Sequence, residues 1–354
     1  MSDQVSPPHS LLSSGSQYPS LVALLCTTEA IYLAGRFSLL KIDLNDGLLN
    51  QCASISSPWL LRQAARSRHL RRLGRLDVRE LVQVPSGRLL GVTQKRIISL
   101  DRGETEFRTV FQVYDGGRPK GFAVTPGGHI FVGEYWGNPQ RQPLRIWAST
   151  DNGETWEVAH VLPAGRARHI HNVVWDQHRG GLWVLTGDAD GECALLFTSD
   201  ECKTITEVVR GGQAFRACNV FCLPEGLYYG TDTEKVPNWF VYVDINRGKV
   251  HKIQPLPGSC FEAAEMGGRY FISTGVEPSK VNHYPKTVLW SSQDLHLWSE
   301  IVAFEKDWWP GEYFGFGNIK LPFVQGDCHF LVFSAMAIKN YDLTTFLFKP
   351  PFLF

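Results

Sequence analysis

Ser149-Thr150-Asp151-Asn152-Gly153-Glu154-Thr155-Trp156 is the stretch that decides the fold. In a tight turn of this composition the Asp carboxylate can accept backbone N–H groups and the Gly can adopt positive φ. The Trp can pack between neighbouring sheets. Each residue type therefore has a folding role, and function has to be sought elsewhere in the chain.

Weaker copies recur on both sides. Ser99-Leu100-Asp101-Arg102-Gly103-Glu104-Thr105 lies upstream, Thr198-Ser199-Asp200-Glu201-Cys202-Lys203-Thr204 downstream, and Ser291-Ser292-Gln293-Asp294 with Trp298 further on. Asp43, Asp244 and Asp342 mark the intervening turns, giving positions 43, 101, 151, 200, 244, 293 and 342. The steps of 58, 50, 49, 44, 49 and 49 residues are those of a radial repeat, and seven turns imply seven blades. Short β-branched and aromatic runs fill each period: 120–125, 128–134, 143–149 and 155–161 in the third unit, then 171–176, 181–187, 194–198 and 205–209 in the fourth. Four strands per unit predict an all-β, seven-bladed β-propeller of four-stranded antiparallel blades. The long first step is explained by 58–76, where Trp59, Leu60, Leu61, Leu70 and Leu73 alternate with Arg62, Arg66, Arg68, Arg71, Arg72 and Arg75, the pattern of a basic helical insertion.

Composition agrees with one closed domain over 19–354, preceded by a Ser- and Pro-rich arm over 1–18 that is expected to be disordered. Eleven tryptophans and 33 glycines suit aromatic-packed sheets with many tight turns. Lys+Arg and Asp+Glu both number 35, so bulk charge gives no broad basic surface for nucleic acid or an anionic membrane. The N-terminus lacks a basic signal region, and the apolar run at 21–26 is too short to span a membrane, so a cytoplasmic location is the default expectation. None of the eight cysteines forms a CxxC pair, and Cys218 and Cys222 read as buried thiols along one strand.

If strands run from the axis outward, the turn at 149–156 joins the third strand to the fourth. The connections from second to third strand, and from each outer strand to the next inner one, share the opposite face. Unusual polar residues collect there. The second-to-third connections supply Glu134, Tyr135, Trp136, Asn138 and Arg141; Asp188, Asp190 and Glu192; Asp232, Glu234 and Lys235; and Glu277 and Lys280. The inter-blade connections add Arg118 and Lys120, Arg166-Ala167-Arg168-His169-Ile170-His171, Gln213 and Arg216, and Lys306-Asp307-Trp308-Trp309. Taken singly, each of these residues has a bland reading as solvated turn scaffolding. Together they offer flat aromatic faces for a sugar ring and bidentate arginines for a carboxylate, which predicts an oligosaccharide or polysaccharide ligand.

His169 and His171, two residues apart on a strand, share a side. Three readings of the pair stand open. One histidine can serve as general acid or base, oriented by Asp188, Asp190 or Glu192. The pair can ligate a divalent metal with Glu134, Asp188 or Gln213. Or both can simply hydrogen-bond the neighbouring blade.

The octapeptide 149–156 matches the Asp box, S-x-D-x-G-x-T-W, and the chain resembles the sialidase-like, BNR-repeat propellers. The resemblance implies a propeller and a carbohydrate connection. Sialidase activity is not implied: Pro143-Leu144-Arg145-Ile146-Trp147 imitates the family's early arginine motif but runs straight into the box, placing Arg145 on a third strand. With Gly133-Glu134-Tyr135-Trp136-Gly137-Asn138, Gly187-Asp188-Ala189-Asp190-Gly191-Glu192 and Glu277-Pro278-Ser279-Lys280, the chain looks like a bacterial group labelled only as glycosyl-hydrolase-like. Propeller polysaccharide lyases are similar by fold.

Two functions follow as expectations. A carbohydrate-active enzyme would use Glu134 with Asp188 or Asp190 as hydrolytic carboxylates. In lyase form it would use His169 or His171 as base, Tyr135 as acid, and Arg216 or Arg141 to neutralise a uronate carboxylate. A non-catalytic propeller would bind a glycan or a protein partner through the same mouth, with Asn138, Arg168, Glu192, Gln213, Asp232, Glu277 and Lys280 among its contacts.

Overall fold

A computed structural model describes Leu12, residues 14–113 and residues 119–350. It is an all-β propeller whose strand order falls into four-stranded antiparallel runs. Four of these are separate sheets built from consecutive strands. They include Ala123–Val124, Ile130–Gly133, Leu144–Ser149 and Glu157–Leu162, followed by His169–Asp176, Gly181–Gly187, Ala194–Thr198 and Thr206–Arg210. The first two runs, 22–55 and 78–112, are joined into one larger sheet by a short parallel pairing of Ser54 and Ile55 with Glu106 and Phe107. The last sheet is completed from the other end of the chain, where Ser16–Pro19 pairs with Thr344–Phe348. Within the arm expected over 1–18, Ser16–Pro19 is thus a strand and Leu12 is buried; residues 1–11 and 13 lie outside the described residues.

Burial explains the sequence pattern. Second strands such as Gly181–Gly187 and Ile130–Gly133 are covered on both faces by neighbouring sheets and are buried throughout, whereas outer strands such as Glu157–Leu162 keep an exposed edge. The turn at 149–156 closes as its residue types require. Ser149 Oγ donates to Asp151 Oδ1 (2.8 Å) and accepts from Gly153 N (2.9 Å), and Thr155 N donates to Asp151 Oδ1 (2.9 Å). Gly153 has φ +84° and presses on Leu90 of the preceding sheet, where a Cβ would come within 2.6 Å. Trp156 stacks on Phe111 of that same sheet (5.8 Å between ring centroids). Thr198–Thr204 repeats the pattern with Cys202 in the left-handed region (φ 69°). The last member of the series differs. Asp342 lies between Leu331–Met336 and Thr344–Phe348, the second and third strands of the final sheet, so it sits on the opposite face from the other six.

The insertion forms two short helices, α1 (Trp59–Ala64) and α2 (Arg68–Gly74), rather than one. Two buried arginines of α2 fasten them. Arg71 bonds Asp77 and the Ser20 carbonyl (3.0 Å each), and Arg72 pairs with Asp307 and with Asp342 (3.0 Å). Cys26, in the first strand of the first sheet, and Cys328, in the loop that leads into Leu331–Met336 of the last sheet, form a disulfide across a sequence separation of 302. Cys218 is buried; Cys222, which alone of the two falls within the strand Phe221–Leu223, is half-buried. No helix among the described residues is long and apolar enough to cross a membrane.

Candidate functional site

The face opposite the turn at 149–156 carries a cavity of about 680 Å³. Its walls come from successive connections: Arg75 at the end of α2, Lys95, Tyr135 and Trp136, Arg168 and His169, Asp188, Arg216, Glu234 and Glu277.

Asp188 is the hub. It follows the strand Gly181–Gly187 and adopts φ 129°, a strained value for a residue with a side chain. Its Oδ1 lies 3.3 Å from His169 Nε2, 3.3 Å from His171 Nε2 and 3.2 Å from Arg216 Nη2, while Oδ2 lies 3.2 Å from Arg168 Nη1. Burial alone would raise the Asp188 carboxyl, but the two histidines and the Arg216 guanidinium hold it far below the usual carboxylate range.

A local irregularity brings the histidines together. The pairing of His169–Asp176 with Gly181–Gly187 shifts register between Ile170 and Asn172, so His171 is the extra residue of a bulge. The two imidazoles then sit 5.0 Å apart, and Tyr135 lies 4.1 Å from His169. Gly187 makes room for them: a Cβ there would come within 2.8 Å of His171 Cε1 and 3.1 Å of Arg216 Cγ.

Both tautomers are set from behind. His169 Nδ1 faces the Trp136 carbonyl (3.2 Å) and His171 Nδ1 the Ala217 carbonyl (3.0 Å), so each Nδ1 carries a proton and, in the neutral ring, each Nε2 presents a lone pair. Burial, which favours the neutral ring, lowers the His171 imidazole against the opposing pull of Asp188. His169 Nε2 is buried without a hydrogen-bond partner. Three lone pairs, from two Nε2 atoms and Asp188 Oδ1, thus converge within 4.8 Å of one another, and such a cluster calls for a cation. A proton or a divalent metal ion fits these donors. A second group, His171, Cys218 and Asp232, is less suited to a metal. His171 Nδ1 donates to a carbonyl there, and burial together with Asp232 pushes the Cys218 thiol up.

Behind the hub, Arg216 also bonds Glu234 and approaches Asp232 Oδ2 (3.5 Å). Lys120 Nζ stands 4.2 Å over the Tyr135 ring. Burial works against its charge, but Cys218, Tyr135 and Asp232 raise its pKa overall. Burial, with Asp232 second, raises the Glu277 carboxyl, which accepts from Ser259 Oγ (3.1 Å).

Of the residues expected to form the site, Tyr135, Arg168, His169, Asp188, Arg216 and Glu277 line the cavity, and His171 supports it from beneath. Others stand apart. Glu134 is fully buried under its own sheet, where it accepts from Arg145 N (2.9 Å), Arg145 Nη1 (3.2 Å) and Trp147 Nε1 (3.2 Å). A pair of hydrolytic carboxylates built on Glu134 is therefore not assembled. Asn138 ties its loop to Gln142, and Arg141 pairs with Glu192 (2.7 Å), which also accepts from Arg168 N. Asp190 is exposed and bonded by Gln213 (2.6 Å). Asp232 is buried behind Arg216, and Lys280 is exposed outside the cavity wall. Arg118 lies outside the described residues. Arg75 and Lys95 were not among the residues expected at the site: Arg75 sits in the arginine-rich insertion and Lys95 beside Arg96, and nothing local singles out which of these cations lines the cavity.

No protein-family model and no curated protein matches the chain. Solved propeller structures match in fold. Oligogalacturonate lyase in complex with manganese aligns at TM-score 0.53 and 10% identity, over 86% of this chain and 81% of its own. Virginiamycin B lyase from Staphylococcus aureus aligns at 0.53 and 13%, over 94% and 98%. A chain of the mitotic checkpoint complex aligns at 0.58 and 9%, over 99% and 98%. At these identities the likeness shows the fold alone, and the resemblance to the sialidase-like group rests on the turn motif.

Proposed function

We propose that the cavity takes an acidic, uronate-type oligosaccharide and cleaves it by β-elimination. The observation that carries this reading is that Arg75 and Lys95 face the cavity without an acidic partner among the described residues, beside a histidine whose Nε2 faces Asp188 Oδ1 at 3.3 Å. Two free cations with Arg168 suit a sugar carboxylate, and Tyr135 and Trp136 offer ring faces.

The chemistry follows from these groups. With its carboxylate held by the cations, the sugar loses the proton on the adjacent carbon to His169 Nε2, and Asp188 stabilises the imidazolium. The electron pair forms a C=C bond as the bond from the β-carbon to the glycosidic oxygen breaks. That oxygen takes a proton from the Tyr135 hydroxyl, which solvent restores. A divalent ion held by His169, His171 and Asp188 would supply Lewis acidity toward the carboxylate. The two uses of His169 exclude each other, so the effect of a chelator separates them.

The propeller lyases that share the fold are consistent with this reading, as is the glycan connection of the Asp-box motif. A purely binding role is favoured by one observation, that His169 Nε2 points at Asp188. The test is incubation with a panel of uronate-containing and neutral oligosaccharides, with and without chelator, followed by mass and by absorbance of a new C=C bond. Asp188→Asn should reduce turnover roughly 100-fold or more. Binding of acidic sugars with no cleavage would leave the binding role, and cleavage of neutral sugars alone would remove the uronate reading.

A further inference from the structure

On the same rim, beyond the cavity wall, stands a pile of aromatic rings. Trp308 is 80% exposed and lies on Trp309 with centroids 4.2 Å apart and planes at 25°. Trp309 rests in turn on His69 of α2 (4.5 Å) and on Phe314 (4.8 Å). The base of the pile is rigid because Arg72, buried, grips Asp307, Asp342 and the Phe314 carbonyl. Leu70, Leu73 and Tyr313 are also exposed around it. A patch of this kind, held flat and left open to water, marks a binding surface.

Charge and position narrow the occupant. Arg62, Arg66 and Arg68 of the insertion have no acidic partner among the described residues, and Arg68 Nε donates to His69 Nε2 (3.3 Å) at the base of the rings, so three cations of the insertion stand against the one exposed acid beside Tyr313, Glu312. The surface is linked to the cavity through α2, which carries His69 beneath the rings and is capped by Arg75 of the cavity wall, about 9 Å further along the helix axis. Only a ligand longer than a single sugar ring bridges that span. Helices of six and seven residues fastened by buried arginines are, moreover, poor membrane anchors.

We propose that the Trp308 face and the arginines of the insertion form a distal subsite for the flanking rings of a longer acidic glycan whose reacting part occupies the cavity. The proposal rests on the cavity reading above. Binding energy gathered at such a distance favours polymeric over short substrates.

The experiment is calorimetric titration of the full chain, Trp308→Ala and Arg168→Ala with size-graded oligomers of galacturonate and of alginate. The wild type should bind an octamer roughly tenfold more tightly than a trimer. Trp308→Ala should close that gap without changing trimer affinity, and Arg168→Ala should weaken both. A thermal melt checks that the variants stay folded. If the gap survives in Trp308→Ala while Arg168→Ala still weakens binding, the subsite is refuted and the cavity reading stands. If the wild type binds neither ladder, the cavity reading fails and takes the subsite with it. Trp308-dependent retention on phosphatidylglycerol-containing vesicles or on a single-stranded oligonucleotide, with octamer binding unchanged, would also overturn the proposal.

Discussion

Replacing Glu134 by Gln tests whether this acid belongs to the fold or to the chemistry. Its side chain is fully buried; one oxygen accepts from the Arg145 amide (2.9 Å), the other from Arg145 Nη1 and Trp147 Nε1 (both 3.2 Å). Glutamine can keep one of these oxygens. In its better orientation it still serves Nη1 and Nε1, but turns an NH₂ toward the Arg145 amide, leaving a buried backbone donor unsatisfied at about 1–3 kcal/mol. The remaining bonds lose their ionic character. Since the Arg145 side chain is 36% exposed and can turn to water, that loss adds only about 1 kcal/mol. The expected cost is about 2–4 kcal/mol, or about 3–5 °C in melting temperature for a chain of this length. Thermal melts of Glu134→Gln, with ligand affinity measured on the folded variant, check it. Unchanged stability together with lost binding or turnover would refute the structural role and return Glu134 to the cavity.

Glu262 provides the pH prediction. Its carboxyl, on an inner strand, is lifted to about 7 by burial, with Lys320 opposing and Glu80 adding to the lift. A folded-state value above the ordinary 4.5 means that this group's stabilising contribution is present below about 4.5 and lost as pH rises through about 7. Melting temperature followed against pH should therefore fall less steeply across that window in Glu262→Gln than in the wild type; identical slopes would rule this out. Cys328→Ser should remove the covalent tie between the first and last sheets and cost about 2–4 kcal/mol. Non-reducing intact mass should show the wild type two hydrogens lighter than its reduced form, and a melting temperature insensitive to both reductant and substitution would count against the tie.

The turn at 149–156 and the strands of the third and fourth units could be read directly because their determinants are local. Positive φ at Gly153, side-chain capping by Asp151, and β-branched runs between turns all act within a few residues. The polar face could be read for the same reason, since strand order alone decides which connections share a rim. Which residue on that rim faces the cavity could not. Glu134 and Asp188 are both acids following a second strand, yet one is drawn under its sheet by Arg145 and Trp147 while the other gathers two histidines through a bulge in the neighbouring strand. Asp342 kept the spacing of the turns but took the opposite face, because Ser16–Pro19 supplies the outer strand of the last sheet. That closure, the Cys26–Cys328 tie and the convergence of Arg75 and Lys95 with Arg216 and Glu277 on one cavity join residues far apart in the chain, where local propensity carries no signal. The sequence by itself determined a propeller with one polar rim. Only the closing of the ring decided which side chains on that rim share a cavity, because side-chain direction there depends on register and long-range contacts.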